Sequence, residues 1–192
     1  MNIRIISGIF KNHKIASPNS RQTHPMSERI RNAIFNNIHQ DIHNATVLDA
    51  FAGTGAIGLE ALSRGAKKVT FIEKNRLAQK ILANNLEQIT SKSDKVGKSQ
   101  LIRSSVNGWL NSTESEYIDG KLDILPTFNI IFADPPYYDP QFPTLQKLAL
   151  RLENDGLFIV SQPKELEDIC IENLTLISHK IYSGAKILIF RK

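Results

Sequence analysis

Residues Asp49 to Gly58 read Asp-Ala-Phe-Ala-Gly-Thr-Gly-Ala-Ile-Gly and join a short apolar run, Thr46-Val47-Leu48, to a stretch of helical character. Glycines at Gly53, Gly55 and Gly58 let a strand turn sharply into a helix, because a glycine has no side chain to obstruct the turn. The same bare backbone allows a cofactor to lie against the main chain. The stretch therefore predicts a strand, a turn and a helix, with a ligand site at the turn.

Two cofactors suit a turn of this spacing, and the nearby acidic residues discriminate between them. The glycines also read G-x-G-x-x-G, which is the fingerprint of NAD-binding proteins. Asp49 at the strand tip would repel a pyrophosphate, whereas it would stabilise the ammonium and sulfonium charges of S-adenosylmethionine. Glu73 ends the next apolar run and can accept hydrogen bonds from the ribose hydroxyls of either cofactor. We predict S-adenosylmethionine; ordinary turn glycines and surface acids of an α/β sheet are the alternative.

A second motif, Asp134-Pro135-Pro136-Tyr137, follows the apolar run 129–133, at the carboxyl end of a predicted strand. The exocyclic amine of a nucleobase is a weak nucleophile because its lone pair is delocalised into the ring. The Asp134 carboxylate and the Pro135 carbonyl can each accept one of its N–H bonds, while Tyr137 offers a ring face for stacking. The two prolines stiffen the backbone. The motif predicts methylation of a planar amine, with a rigid loop after a buried strand as the alternative.

Length and composition favour one catalytic domain. The chain has 192 residues, 41% of them hydrophobic, which suffices for one sizeable core. No run approaches the roughly eighteen apolar residues of a membrane span, and an apolar signal core is missing, so we expect a cytoplasmic protein. The single cysteine, Cys170, is expected at a buried apolar position. Scattered histidines predict no metal site.

Positive charge is concentrated near the N-terminus. Residues 1–46 carry four of the five net positive charges of the chain. The basic side chains of this segment are Arg4, Lys11, Lys14, Arg21, Arg29 and Arg31. Such an excess is typical of a surface that binds nucleic-acid phosphates, and a basic face that serves only solubility is the alternative.

The pattern of apolar runs predicts an α/β fold with a mainly parallel sheet. Predicted strands lie at 46–50, 69–73, 100–103, 129–133 and 157–161, with helices near 56–64, 75–90 and 143–152. Runs at 174–182 and 186–190 predict a closing antiparallel hairpin, and polar stretches at 91–99 and 111–120 predict loops.

The N-terminal segment predicts a small hairpin, 3–7 with 13–16, followed by a helix that Ser27 caps and that ends near Ile38. Its apolar stripe leaves Arg29 and Arg31 largely outside, available to a pocket or a phosphate. Phe10 and Trp109 are expected in the core. We therefore divide the chain into an RNA-binding extension, 1–45, and a catalytic domain, 46–192.

The two motifs and much of the remaining sequence resemble the RsmD family, bacterial methyltransferases that modify N2 of a guanine in 16S ribosomal RNA. The resemblance covers nearly the whole chain and includes the stretches 4–8, 24–36 and 58–66. It implies a Rossmann-like, S-adenosylmethionine-dependent methyltransferase with a seven-stranded sheet. The implied target is guanine 966 in the small ribosomal subunit or its assembly intermediate, and the implied enzyme is a cytoplasmic monomer without a metal or a membrane partner.

The resemblance also implies which residues serve each role. The catalytic residues are Asp134, Pro135, Pro136 and Tyr137. The cofactor residues are Asp49, Phe51, Ala52, Gly53, Gly55, Gly58, Glu73, Lys74, Ser104, Ser105 and Val106. The RNA-binding residues are Arg4, Lys11, Lys14, Arg21, Arg29 and Arg31.

This sequence departs from the family pattern at two places. It has His24-Pro25-Met26 where the family usually has Arg-Pro-Thr, and Ser104-Ser105 where related enzymes often have an acidic residue for the adenine.

The alternatives to this family are an adenine-N6 methyltransferase and a non-catalytic protein that kept the fold.

Overall fold

The apolar run before the glycine-rich turn is a central strand of a seven-stranded sheet. A computed structural model describes residues 2–18, 26–114, 117–118, 121–122, 126–182 and 184–192. Its strands are β1 (Asn2–Arg4), β2 (Lys14–Ala16), β3 (Thr46–Asp49), β4 (Lys68–Ile72), β5 (Lys98–Ile102), β6 (Tyr117–Ile118), β7 (Lys121–Leu122), β8 (Phe128–Ala133), β9 (Leu152–Gln162), β10 (Thr175–Ile181) and β11 (Lys186–Arg191). Its helices are α1 (Glu28–Asn37), α2 (Ala56–Ser63), α3 (Arg76–Thr90), α4 (Val106–Glu114) and α5 (Phe142–Ala149).

The order of strands across the large sheet is β10-β11-β9-β8-β3-β4-β5. The five strands from β9 to β5 are parallel, and β11 lies antiparallel between β9 and the edge strand β10. The predicted mainly parallel sheet with a closing hairpin is therefore confirmed. The strand order reverses between β3 and β8, and open α/β sheets bind ligands at the carboxyl ends of the strands beside such a reversal.

Helices cover both faces of the sheet. One apolar cluster joins the sheet to α1, α2, α3 and the β1–β2 hairpin, and a second joins it to α4 and α5. Val47 and Leu48 are neighbours in β3 and belong to different clusters, as alternate side chains of a strand must. A sheet that is buried on both faces explains why its strands are almost continuous apolar runs.

Helix α4 is absent from the sequence-based prediction. Asn107, Gly108 and the polar residues 111–113 lower its helix propensity. Val106, Trp109 and Leu110 are nevertheless buried at helical spacing and hold it against the sheet. The predicted loop at 111–120 is therefore wrong for residues 111–114, which belong to α4, and for 117–118, which form β6. Strands β5 and β9 also begin earlier than predicted, at Lys98 and Leu152.

The N-terminal hairpin is attached to helix α2 by a buried carboxylate. Glu60 has an exposed fraction of 0%. Its carboxylate accepts hydrogen bonds from the Ile6 and Ser7 amides at 2.7 and 3.0 Å and from Arg64 Nε at 2.6 Å. Side chains of the hairpin also belong to the apolar cluster that packs α1, α2 and α3 on the sheet, so the hairpin and the sheet share one core. The division between 1–45 and 46–192 stays a prediction.

Helix α1 begins as predicted, but one of its arginines does not face solvent. Ser27 Oγ caps the helix by accepting the Ile30 amide at 3.3 Å, and Ile38 follows its last turn. Arg31 is buried, and its guanidinium donates to the Met26 and Arg4 carbonyls at 2.9 and 2.8 Å. Burial lowers the pKa of Arg31, while the carboxylates of Glu60 and Glu28 oppose the shift. The prediction that Arg31 lies off the buried face is wrong.

Three further expectations can be compared with the structure. Phe10 and Trp109 are buried in the core, as predicted. Cys170 is exposed, so its predicted burial is wrong, because it lies in the irregular segment after β9 and not in a core element. Among the residues that the structure describes, no helix is long and apolar enough to cross a membrane.

We expect Glu60→Gln to destabilise the protein by about 3 kcal/mol, because the substitution removes one partner of a buried ion pair and leaves donors without a full acceptor set. The free energy of unfolding in urea measures the effect. Glu87→Gln, at an exposed position of α3, is the matched control and should change stability little. A Glu60→Gln protein as stable as the control would contradict the anchoring role.

Candidate active site

The glycine-rich turn connects β3 to α2, as predicted, but its glycines serve different purposes. A Cβ at Gly55 would lie 2.4 Å from Leu82 Cδ1, and one at Gly58 would lie 2.2 Å from Phe71 Cε1. These two glycines therefore allow close packing of helix on sheet. A Cβ at Gly53 would have nothing within 4 Å. The open space that a cofactor requires lies beside Gly53, not beside Gly58.

Asp49 lies at the end of β3 with an exposed fraction of 2%. Its Oδ2 accepts the Gly58 amide at 2.9 Å, which holds the first turn of α2 to the strand tip. Burial, together with the charges of Asp134 and Glu73, raises the pKa of Asp49 to about 7, while the Gly58 hydrogen bond opposes the shift. An ionised Asp49 is thus costly unless a positive charge lies beside it.

Glu73 follows β4 and faces the glycine-rich turn. Its Oε2 accepts the Gly53 amide at 2.7 Å, and its Oε1 accepts the Asn75 amide at 2.6 Å. Gln79 Nε2 donates to the Glu73 carbonyl at 2.7 Å, which fixes the backbone. Each carboxylate oxygen retains a lone pair for a further donor. The position of Glu73 therefore suits a ligand with hydroxyl groups next to Gly53.

The Asp134-Pro135-Pro136-Tyr137 motif follows β8, so its carboxylate lies at the same sheet edge as Asp49. Burial raises the pKa of Asp134 to about 6, opposed by a hydrogen bond with Ser161. The Asp139 amide donates to the Pro136 carbonyl at 2.8 Å and closes the turn. The Tyr137 hydroxyl lies 3.1 Å from Ser161 Oγ, while 42% of Tyr137 remains exposed. A rigid turn thus presents an acceptor and an aromatic ring together.

The structure places the other predicted cofactor residues around the same edge. Phe51 and Ala52 lie in the turn itself, and the Ala52 amide donates to the Ile72 carbonyl at 3.0 Å. Lys74 is exposed after β4. Ser104, Ser105 and Val106 follow β5, but Ser105 Oγ accepts the Gly108 amide at 3.0 Å and caps α4, and Val106 is buried.

The predicted RNA-binding residues are spread over two edges of the sheet. Arg4 is exposed and pairs with Glu28 at 2.6 Å. Arg29 lines a hollow of about 220 Å³ with Tyr182, near the carboxyl ends of the strands. Lys11 and Lys14 are exposed on the hairpin, with Lys11 near the opposite edge. Arg21 lies outside the described residues, as do His24 and Pro25.

Sequence reasoning missed Ser161, the side chain that joins Asp134 and Tyr137. It ends the apolar run of β9, which pairs with β8 through Ala133 and Val160. A polar residue at the carboxyl end of an apolar strand, next to the strand that carries the motif, is the signal that could have identified it.

The family model described as Conserved hypothetical protein 95 matches residues 3–191. A relative from Haemophilus influenzae, "Ribosomal RNA small subunit methyltransferase D", is 32% identical over 93% of this chain and 88% of its own length. The chain belongs to the RsmD family. The resemblance noted from the motifs is thereby confirmed.

Solved structures agree with the RsmD assignment. The yhhF protein of Escherichia coli superimposes with a TM-score of 0.82 and 27% identity, covering 100% of this chain and 98% of its own. A more distant structure, SMU.776, is 14% identical with a TM-score of 0.62 over 82% of this chain and 49% of its own, and was solved with SAH. The predicted Rossmann-like methyltransferase fold is confirmed.

We expect Asp49→Asn to stabilise the cofactor-free RsmD-family protein at about pH 8 and to change it little at about pH 4. The pKa of the carboxyl is close to the ordinary aspartate value of 3.8 in the unfolded chain, whereas in the folded protein it is about 7. Asp49 therefore stabilises the fold at low pH, and this contribution is lost as pH rises through that window. Since one unit of pKa corresponds to about 1.4 kcal/mol and pH 8 lies above both the unfolded value of 3.8 and the folded value of about 7, the gain at pH 8 should be on the order of 4 kcal/mol.

Urea unfolding between about pH 4 and 8 measures this effect. Asp94→Asn, at an exposed position, is the control. The stability of both proteins also falls with rising pH up to about pH 6, because Asp134 has a raised pKa in each of them. The difference in stability between Asp49→Asn and the unchanged protein should therefore be clearest above that pH. If the free energies of unfolding of the two proteins changed with pH in the same way, the raised pKa of Asp49 would be contradicted.

Proposed function

We propose that this protein transfers the methyl group of S-adenosylmethionine to the N2 amine of a guanine in 16S ribosomal RNA, with guanine 966 as the target that the family implies. One observation carries the proposal. The Asp49 and Asp134 carboxylates lie at the ends of the adjacent parallel strands β3 and β8, close enough for the charge of one to raise the pKa of the other. A carboxylate for a cationic cofactor thus adjoins a carboxylate for a nucleophilic amine.

The residues of the turn fit the cofactor. Asp49 is a buried carboxylate that a neighbouring positive charge would stabilise, and Gly53 borders open space. Glu73 is held beside Gly53 with lone pairs for ribose hydroxyls. When bound, S-adenosylmethionine supplies an electrophilic methyl group on a cationic sulfur.

The Asp134 motif suits the nucleophile. The carboxylate of Asp134 and the carbonyl of Pro135 would each accept one N–H of the amine, which directs the nitrogen lone pair towards the methyl group. The amine nitrogen would become positive as it takes the methyl group, and S-adenosylhomocysteine, a neutral thioether, would be the other product. Asp134 stabilises that charge and can accept the proton that the amine loses. Tyr137 would stack on the guanine.

The proposed substrate also explains the basic residues. A paired base cannot reach a carboxylate at a sheet edge, so the guanine must leave its stack, which is easiest in a loop or a distorted helix. Arg29 lies on the active-site edge and would hold a nearby phosphate, while Lys11 and Lys14 would contact RNA farther away. Arg31 is occupied by backbone carbonyls, which disfavours its predicted phosphate contact.

The direct test is transfer of radiolabelled methyl from S-adenosylmethionine to small ribosomal subunits from cells that lack this protein, followed by nucleoside analysis. Label in N2-methylguanosine supports the proposal. Label in a methylated adenosine would keep the mechanism and overturn the target atom. Cofactor binding without label in any nucleoside would overturn the proposed substrate.

We expect Asp134→Asn to lower kcat by at least about 100-fold. The amide oxygen can accept a hydrogen bond from the amine, but a neutral amide does not stabilise the positive charge on the nitrogen or take up its proton. The dissociation constant for S-adenosylmethionine, measured by calorimetry, should change only a few-fold. Asp139→Asn is the matched control, since that carboxylate is exposed in the same loop and accepts a hydrogen bond from Gln141 Nε2 at 3.1 Å. Full activity of Asp134→Asn would overturn the mechanism.

We expect the double variant Lys11→Ala, Lys14→Ala to bind small subunits more weakly and with a lower salt dependence. Each lost phosphate contact should reduce the slope of log K against log salt by about 0.7–0.9. Lys147→Ala with Lys164→Ala, which removes equal charge from α5 and from the segment after β9, is the control. An unchanged slope in the hairpin variant would show that the hairpin does not contact RNA phosphates.

A further inference from the structure

Ser161 lies between the two polar side chains of the Asp134 motif. It is in β9, next to β8, and its exposed fraction is 2%. Its Oγ lies 3.1 Å from the Tyr137 hydroxyl. Because Ala133 pairs with Val160, the next residues of the two chains, Asp134 and Ser161, are neighbours, and a hydrogen bond from Ser161 lowers the pKa of the Asp134 carboxyl. A single buried hydroxyl therefore contacts both groups that the proposed chemistry uses.

The direction of these hydrogen bonds follows from the number of protons. Ser161 has one hydroxyl proton, and an ionised carboxylate can only accept. When Asp134 is ionised, Ser161 must donate to it. The Tyr137 hydroxyl then donates to Ser161 Oγ, which forms a chain from the phenol through the serine to the carboxylate.

The backbone of Ser161 is fixed on both sides. Val160 pairs with Ala133 of β8, and Ser161 itself pairs with Ile187 of β11. The motif, in contrast, lies in the turn that follows β8, where the ladder ends. A side chain from the middle of the sheet thus provides a fixed reference point for two side chains in a turn.

We propose that Ser161 is a positioning residue, whose hydroxyl holds the Tyr137 ring and the Asp134 carboxylate in the arrangement that methyl transfer needs. This inference rests on the proposed function for its kinetic consequences. With one lone pair of Asp134 engaged by Ser161, the remaining lone pairs have a set direction towards the amine. With the Tyr137 hydroxyl engaged, the exposed part of its ring keeps one orientation for the base.

The hydroxyl also favours the ionised form of Asp134. Burial raises the pKa of Asp134 to about 6, and the hydrogen bond from Ser161 limits that rise. The other ionisable groups that face it are Asp49 from β3, Glu73 beyond Asp49 and the phenol of Tyr137. Asp49 and Glu73 have no contact with Ser161 and should keep their positions when it is truncated, so the change in Asp134 should reflect the lost hydroxyl and the released phenol of Tyr137.

The experiment measures kcat between about pH 5 and 9 at saturating S-adenosylmethionine and small subunits. For Ser161→Ala, we expect the acid limb to move up by about one pH unit, with kcat about fivefold lower near pH 6 and restored to within a few-fold near pH 9. Ser161→Cys has a weaker donor of similar size and should lie between. Affinity for S-adenosylmethionine should not change.

Two further variants separate positioning from packing. Thr70→Val removes another buried hydroxyl from the same sheet, in β4, and should leave the pH profile unchanged. Tyr137→Phe removes the phenol end of the chain, so its effect and that of Ser161→Ala should not add in the double variant. A loss of kcat in Ser161→Ala that is equal at every pH would overturn the proposal, because lost packing predicts that result.

A readout without catalysis distinguishes this inference from the proposed function. The pKa of the Asp134 carboxyl can be followed by NMR of 13C-labelled aspartate in the full chain. Ser161→Ala should raise it by about one unit. An unchanged pKa would overturn the role of Ser161 even in an active enzyme. Conversely, if Ser161→Ala raises the pKa but the protein methylates no ribosomal nucleoside, the interaction of Ser161 with Asp134 is supported and the proposed function is overturned.

Discussion

The geometry of this protein depends on a chain reversal between β3 and α2 that has no room for side chains. Leu82 and Phe71 fill the space where a Cβ of Gly55 or Gly58 would lie, so the helix packs directly on the sheet. That close approach brings the Gly58 amide within 2.9 Å of the Asp49 carboxylate. A wider turn would separate the two and move the strand tip relative to Asp134. The packing of glycines against the core therefore sets the distances of the candidate active site.

The same reversal concentrates negative charge in a protein of net positive charge. Asp49, Asp134 and Glu73 converge at one edge of the sheet, and each ionised form raises the energy of its neighbours. A site of this kind is poorly suited to an anionic cofactor such as a dinucleotide, because the ligand would add repulsion to an existing cost. It suits a cationic one, since the binding of positive charge removes the cost. Electrostatics thus discriminate where the glycine pattern alone is ambiguous.

Features coded by neighbouring residues were predictable from the sequence, and features made by distant residues were not. The strand, turn and helix at Asp49–Gly58 and the position of Asp134 after a strand depend on local patterns. Helix α4 has weak local propensity and forms because Trp109 and Leu110 reach the core. Glu60 bonds to the Ile6 and Ser7 amides, and Arg31 bonds to the Arg4 carbonyl, across 27 or more positions of the sequence. Their other hydrogen bonds, from Arg64 to Glu60 and from Arg31 to Met26, are local. The sequence did contain a signal for the burial of Arg31, since this residue lies three positions before Ile34 and four before Phe35, on the buried face of the helix.

The position of the hairpin places a constraint on the size of any RNA that uses all the exposed basic residues. The Ile9 and Phe10 amides donate to Ser63, the last residue of α2, so the hairpin tip with Lys11 lies at the edge where α2 ends. Arg29 lies at the other edge, where α2 begins and the candidate active site is located. Strands of five or six residues separate these edges, which is about 15–20 Å at 3.3 Å per residue. An RNA that contacts both Lys11 and Arg29 must span several nucleotides beyond the base in the pocket, as a folded loop does and a lone nucleotide does not.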